Sequence, residues 1–253
     1  MARVIALANQ KGGVAKTTSA HALGVALAEQ GQRVLLADLD PQACLTFSNG
    51  IDPDSLPLSM HDVMLERTSV AEALHKVGDL HLLPSSIDLA GAEIHLLSRT
   101  GREYVLRRAL SSVQDDYDVV LIDCPPSLGI LTINGLTASD DVLVPLQCET
   151  LSHRGVGQLL QTIEDVRAYT NPELRILGVI ATMYDGRTKL AGRTVDAVRE
   201  HYGLRVLDPP VPKSVRVAEA PALGASIVTH APSSKVAGAY RELAPQLVAA
   251  AVH

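Results

Sequence analysis

The densest chemistry in the sequence lies in eight consecutive residues, Lys11-Gly12-Gly13-Val14-Ala15-Lys16-Thr17-Thr18. They follow a continuous apolar run at residues 4–8 and open a stretch with helical spacing at residues 17–30, so they occupy a strand-to-helix turn. Glycines in such a turn let several backbone N–H groups converge on one anion, and the positive end of the helix adds to the field. Lys16 is placed to reach the terminal phosphates of a nucleotide, and the Thr17 hydroxyl to ligate Mg²⁺.

Two further segments carry carboxylates where apolar runs end. Val34-Leu35-Leu36-Ala37-Asp38-Leu39-Asp40-Pro41-Gln42 offers Asp38 and Asp40. Val119-Val120-Leu121-Ile122-Asp123-Cys124-Pro125-Pro126-Ser127 offers Asp123. A carboxylate at the carboxyl end of a buried parallel strand points into the crevice where ligands bind. For Asp38, capping of the next turn is an equal alternative.

The elements that must hold these residues are short. Apolar runs at 4–8, 33–37, 80–83, 119–122, 142–146, 176–181 and 205–207 read as strands, and their continuity predicts burial on both faces, as in a parallel sheet. Helices are expected at 17–30, 102–113, 155–168, 188–202 and 233–252, the last with a kink at Pro245 and with Val236, Tyr240, Leu243 and Leu247 along one face. Ser69 and Glu72 have capping-box spacing. Residues 49–60 read as a surface loop, and residues 208–212, with three prolines, as a rigid turn. Strand and helix alternate throughout, which predicts one doubly wound α/β domain, a mostly parallel sheet flanked by helices.

The loop departs from the general GxxxxGK[ST] pattern: Gln10 and Ala15 stand where that pattern has glycines, and Lys11 is an added lysine. With the Asp38–Gln42 and Asp123–Ser127 motifs following in order, the sequence resembles the ParA/MinD family of deviant Walker-A ATPases. Pro84–Ala90, Thr182–Thr188 and Pro212–Pro221 look like segments of its chromosomal ParA (Soj) branch, so the resemblance covers essentially the whole chain. It implies a P-loop ATPase that uses ATP and Mg²⁺. By the resemblance, Gly12, Gly13, Val14, Ala15, Lys16, Thr17 and Thr18 cradle the phosphates, and Thr17 binds the metal directly. Asp123 holds the metal through water, and Asp40 belongs to the same metal site while orienting the attacking water. Lys11 crosses to the partner's phosphates in an ATP-bound homodimer, and Met183 and the backbone at Pro212 line the adenine. Most members have Gly where Ala15 stands, so its methyl is expected to crowd the β-phosphate or stiffen the loop, with consequences for hydrolysis more than for binding.

The composition narrows the partners. The formal net charge is −6, and one Phe, six Tyr and no Trp leave little for base stacking. Any DNA contact must run through phosphates. Residues 184–220 hold seven basic side chains against five acidic ones. The resemblance to the Soj branch implies that Arg187, Lys189, Arg193, Lys213 and Arg216, with Lys235 as a weaker addition, bind double-stranded DNA without reading sequence. It also implies a ParB-type centromere-binding partner that triggers hydrolysis. The chain starts at its first strand, so no N-terminal helix-turn-helix is expected. Three dispersed cysteines and no signal-peptide layout fit a reducing cytoplasm, and the resemblance implies nucleoid association. A MinD-like membrane cycle is the alternative; the final eleven residues, which carry a proline and neither Lys nor Arg, disfavour it. A redox relative would need cysteines at a dimer axis, and Cys124 is not placed like those. A nucleotide-bound scaffold with negligible turnover is the reading that Ala15 motivates.

Overall fold

A strand covered on both sides has no polar face to alternate, and the apolar runs behave accordingly. In the computed structural model, which describes residues 1–148 and 154–249, they form one seven-stranded sheet. The strands are β1 (Arg3–Leu7), β2 (Val34–Asp38), β3 (His75–Val77), β4 (Leu80–Leu83), β5 (Val119–Asp123), β6 (Asp141–Gln147) and β7 (Arg175–Thr182). Their order is β3-β4-β2-β5-β1-β6-β7. Every pairing is parallel except the β3–β4 edge hairpin.

The helices are α1 (Lys16–Glu29), α2 (Cys44–Ser48), α3 (Met60–Met64), α4 (Val70–Ala73), α5 (Leu89–Leu96), α6 (Val105–Ser111), α7 (Ile130–Ala138), α8 (Arg154–Tyr169), α9 (Lys189–Tyr202), α10 (Arg216–Glu219), α11 (Ile227–His230) and α12 (Lys235–Ala249). One face of the sheet is covered by α1, α11 and α12, through Leu23, Leu27, Val228, Tyr240 and Leu243. The other is covered by α3 to α9, through residues such as Met60, Leu106, Leu136, Ile163 and Val198.

The differences from expectation have local causes. The expected helix at 102–113 is broken: a single 3-10 turn at Arg102–Tyr104 precedes α6. The Asn134 amide intercepts the backbone there, accepting from Leu106 N at 3.2 Å and donating to the Arg102 carbonyl at 2.8 Å. Residues 205–207 do not make a strand. Val206 forms one isolated bridge with Val179, and Pro209 and Pro210 supply no N–H to continue a ladder. The loop expected at 49–60 gives way to α3 at Met60, after a capping box of Ser59 and Asp62. The Ser69–Glu72 capping box forms as read. Pro245 does not end α12. The carbonyl that lacks its N–H, that of Arg241, accepts from Gln30 Nε2 at 3.2 Å instead. Residues 250–252 of the expected last helix lie outside the described residues.

β1 is the pivot. It is flanked by β5 on one side and β6 on the other. The chain order therefore reverses at β1, which opens a crevice at the carboxyl ends of β1, β2 and β5.

Candidate active site

The three motifs meet at that crevice because their strands are neighbours in register. Leu7 pairs with Asp123, and Asp123 with Asp38. The segment after β1 is held at its start by Asn9, which is 1% exposed. Its amide donates to the Pro145 carbonyl at 2.8 Å, and its oxygen accepts from Lys11 N at 3.0 Å. The far side is pinned by Thr182, whose hydroxyl donates to the Val14 carbonyl at 3.0 Å.

Within the loop, Gly13 has φ +72° and Ala15 has φ +66°. Left-handed backbone costs an L-residue roughly 1–2 kcal/mol, a cost glycine escapes. The consequence of Ala15 in this structure is therefore conformational. It stands at the cap position of α1 with no side-chain hydrogen bond to offer. Ala43 repeats the arrangement before α2, at φ +51°.

Lys16 is 7% exposed, and its ammonium donates to the Lys11 carbonyl at 3.2 Å. Burial pushes its pKa down, while Asp123 and Asp40 oppose that. Asp123 is 1% exposed, and neither of its oxygens has a hydrogen-bond partner of good geometry. Burial, and then the neighbouring Asp38, hold its pKa well above the usual carboxylate range; the nearby Thr17 hydroxyl and Lys16 ammonium pull it only part of the way back. A buried carboxylate left unpaired beside a lysine and a threonine hydroxyl calls for a cation. One hydroxyl and one carboxylate suit Mg²⁺, which keeps waters and takes its remaining ligands from phosphate.

Asp38 is fully buried and served by three donors: Thr46 N at 2.9 Å, Thr46 Oγ1 at 2.7 Å and Asp40 N at 3.2 Å. It therefore fills the capping role for α2 that the sequence left open. Burial raises its pKa to about 6 against those hydrogen bonds. Asp40 is half-buried, with Oδ1 accepting from Gln42 N at 2.9 Å. Lys11 is half-buried too, and its ammonium donates to Gln147 Oε1, at the end of β6, at 3.3 Å. Thr17 and Thr18 line a small cleft closed by Val217, Ala220 and Pro221.

Met183 and Pro212 come together. Met183 follows β7 directly, with φ +50°, and Tyr184 bridges to Pro212. The expected DNA-contacting residues are placed less evenly. Arg187 and Lys213 flank Asp185, whose carboxyl is held down to about 2, chiefly by hydrogen bonds from Arg187. The Arg187 charge is thus already paired, at 2.8 Å. Lys189 and Arg193 are exposed on α9, and Arg216 is exposed at the start of α10. Lys235 opens α12, in the opposite helical layer from α9. Sequence reasoning missed Asn9, Thr46, Gln147 and Thr182. Each is a polar residue beside a motif, with no periodicity to mark it.

Known proteins resemble this chain along nearly its whole length. A family model described as an AAA domain matches residues 2–176. The Bacillus subtilis sporulation initiation inhibitor protein Soj is 42% identical over 98% of this chain and 99% of its own. The Thermus thermophilus chromosome-partitioning ATPase Soj is 46% identical over 98% of this chain and 96% of its own. A Mycobacterium smegmatis crystal structure with bound ADP and magnesium, described as a cobyrinic acid a,c-diamide synthase, is 55% identical. It superposes with a TM-score of 0.88 over 97% of this chain and 93% of that one. With identity at this level along nearly its full length, the chain belongs to the Soj/ParA family of P-loop ATPases.

Proposed function

We propose that the chain is a DNA-partitioning ATPase for a chromosome or plasmid. ATP and Mg²⁺ bind in the crevice, two loaded copies meet face to face, the dimer holds DNA without reading sequence, and a ParB-type partner triggers hydrolysis and release. One observation carries the reading. A single loop holds a buried lysine, Lys16, next to the unpaired Asp123, together with a second lysine, Lys11, that is only half-buried. One cation serves its own nucleotide; the other remains available to a second one.

When bound, Mg²⁺ supplies positive charge on the phosphates. The chain does the rest. Gly12, Gly13, Val14, Ala15, Lys16, Thr17 and Thr18 present backbone and side-chain donors to the phosphates. Lys16 neutralises charge from within the protomer, Thr17 and Asp123 hold the cation, and Asp40 orients a water. Lys11 exchanges Gln147 for the partner's nucleotide, in the manner of an arginine finger. Met183 and Pro212 border the adenine.

Arg216, Lys189, Arg193 and Lys213 supply phosphate contacts, with Arg187 and Lys235 peripheral to them. The cleft that joins Thr17 and Thr18 to Val217 and Ala220 puts the Arg216 segment against the nucleotide-binding helix. The test is ATP-dependent binding to random duplex DNA, with its salt dependence recorded. Binding should need ATP, and Arg216→Ala should weaken it on all sequences alike. Equal binding with and without ATP refutes the reading.

The MinD-like alternative meets a structural obstacle. Val236, Tyr240, Leu243 and Leu247, the apolar face of α12, are buried within the layer that α12 shares with α1. The description of the Mycobacterium smegmatis protein favours a second reading, amidation of a cobyrinic acid carboxylate at the expense of ATP. Phosphate release separates the two: stimulation by DNA and a centromere-binding protein supports partitioning, and stimulation by cobyrinic acid with glutamine supports amidation.

A further inference from the structure

Three residues separate Asp40 from α2, yet the cap position of α2 is Ala43, which has no side-chain oxygen to satisfy an amide of the first turn. The acceptor comes from elsewhere, from Asp38 at the end of β2, and it reaches Thr46 N at 2.9 Å. The Thr46 hydroxyl donates to the same Asp38 oxygen at 2.7 Å, and also accepts from Ser85 N, in the segment after β4, at 2.8 Å. The other Asp38 oxygen accepts from Asp40 N at 3.2 Å. Thr46 is fully buried. One hydroxyl thus fixes the orientation of Asp38, and through it the backbone of Asp40 and the start of α2.

We propose that Thr46 is the positioning residue that holds Asp40 at the mouth of the phosphate loop, by bracing the Asp38 carboxylate against α2 and the segment after β4. The assignment rests on reading the site as an ATPase site in which Asp40 orients water. Thr46 does not touch the reacting atoms; it sets where Asp40 stands. A misplacement of about 1 Å in such a group costs up to roughly a hundredfold in rate.

The test compares Thr46→Val, which keeps the shape and removes the hydroxyl, with Thr46→Ser, which keeps the hydroxyl. ATP hydrolysis is measured with DNA and a ParB-type partner present, and amide hydrogen exchange without nucleotide. Thr46→Val should lower kcat by about 10- to 100-fold while leaving KM for ATP within about twofold. Thr46→Ser should restore kcat. The Asp40 and Ser85 amides should exchange faster in Thr46→Val and at the wild-type rate in Thr46→Ser. A residue that only stabilised the fold would not split kcat from KM. Wild-type kcat in a folded Thr46→Val, or unchanged exchange at Asp40, overturns the proposal. Should Thr46→Val not fold, Thr46→Cys, a weaker donor and acceptor, should show the same split in smaller degree; its absence overturns the proposal too. Wild-type protein that hydrolyses no ATP under any of these conditions defeats the ATPase reading instead, and exchange at Asp40 still decides whether Thr46 holds it.

Discussion

Asp38 and Asp123 stand opposite each other in register on neighbouring parallel strands, and the structure treats them in opposite ways. Asp38 accepts three hydrogen bonds, whereas Asp123 accepts none of good geometry. Burial and the Asp38 charge raise the Asp123 pKa well above its ordinary value, which favours its protonated form when no cation is bound. Binding of Mg²⁺ with ATP should expel that proton. Calorimetry in two buffers of different ionisation enthalpy should give different apparent binding enthalpies for the wild type and matching ones for Asp123→Asn. Buffer-independent enthalpy in the wild type would show that Asp123 is already ionised.

Ala15 holds a left-handed conformation that glycine adopts freely. Ala15→Gly removes strain of about 1 kcal/mol and loosens the unfolded chain by nearly as much, so urea unfolding should change by less than about 1 kcal/mol. Ala15→Val, branched at a positive φ, should destabilise by more than about 1 kcal/mol and weaken ATP binding. If valine is tolerated, the loop does not require this backbone.

His21, 6% exposed on α1, has its pKa pushed down to about 4 by burial. Between pH 6.5 and about 4 the unfolded chain binds a proton that the folded chain refuses, so stability falls as the pH falls through this window. The loss reaches about 3 kcal/mol. Asp38, raised to about 6, acts in the opposite direction, but it does so in wild type and variant alike. The stability of His21→Gln minus that of the wild type should therefore grow as the pH is lowered from 6.5 to 4, measured by urea unfolding. A flat difference would place His21 in water.

Gly224, after α10, lies against Gly50, after α2. A Cβ on Gly224, where φ is +61°, would meet the Gly50 Cα at 2.8 Å. Gly224→Ala should push these segments apart and cost about 1–3 kcal/mol. Gly238→Ala, within α12 where nothing lies within 4 Å, should instead stabilise by up to about 1 kcal/mol. Equal effects of the two would deny the close approach.

The candidate site was legible because its chemistry sits in the chain at strand ends. Lys16, Thr17, Asp40 and Asp123 announce themselves by type and by the apolar runs before them. What the sequence hid was set by side chains that act at a distance. The Asn134 amide breaks the 102–113 pattern from α7, 28 residues away from the Leu106 amide it binds. The three residues of β3, His75-Lys76-Val77, are too few and too polar to read as a strand, and they form one only because β4 offers an edge. Asp38 read equally as ligand or cap, and Thr46, eight residues further on, decides for the cap.

The central claim is that the triphosphate joins two copies through Lys11. Sedimentation of Asp40→Ala with saturating ATP and Mg²⁺ tests it most directly, because a protein that does not hydrolyse its ATP should remain dimeric. The account predicts a dimer with ATP, a monomer with ADP, and a monomer with ATP once Lys11→Ala is added. A monomer in all three samples, or a dimer that survives Lys11→Ala, would contradict it.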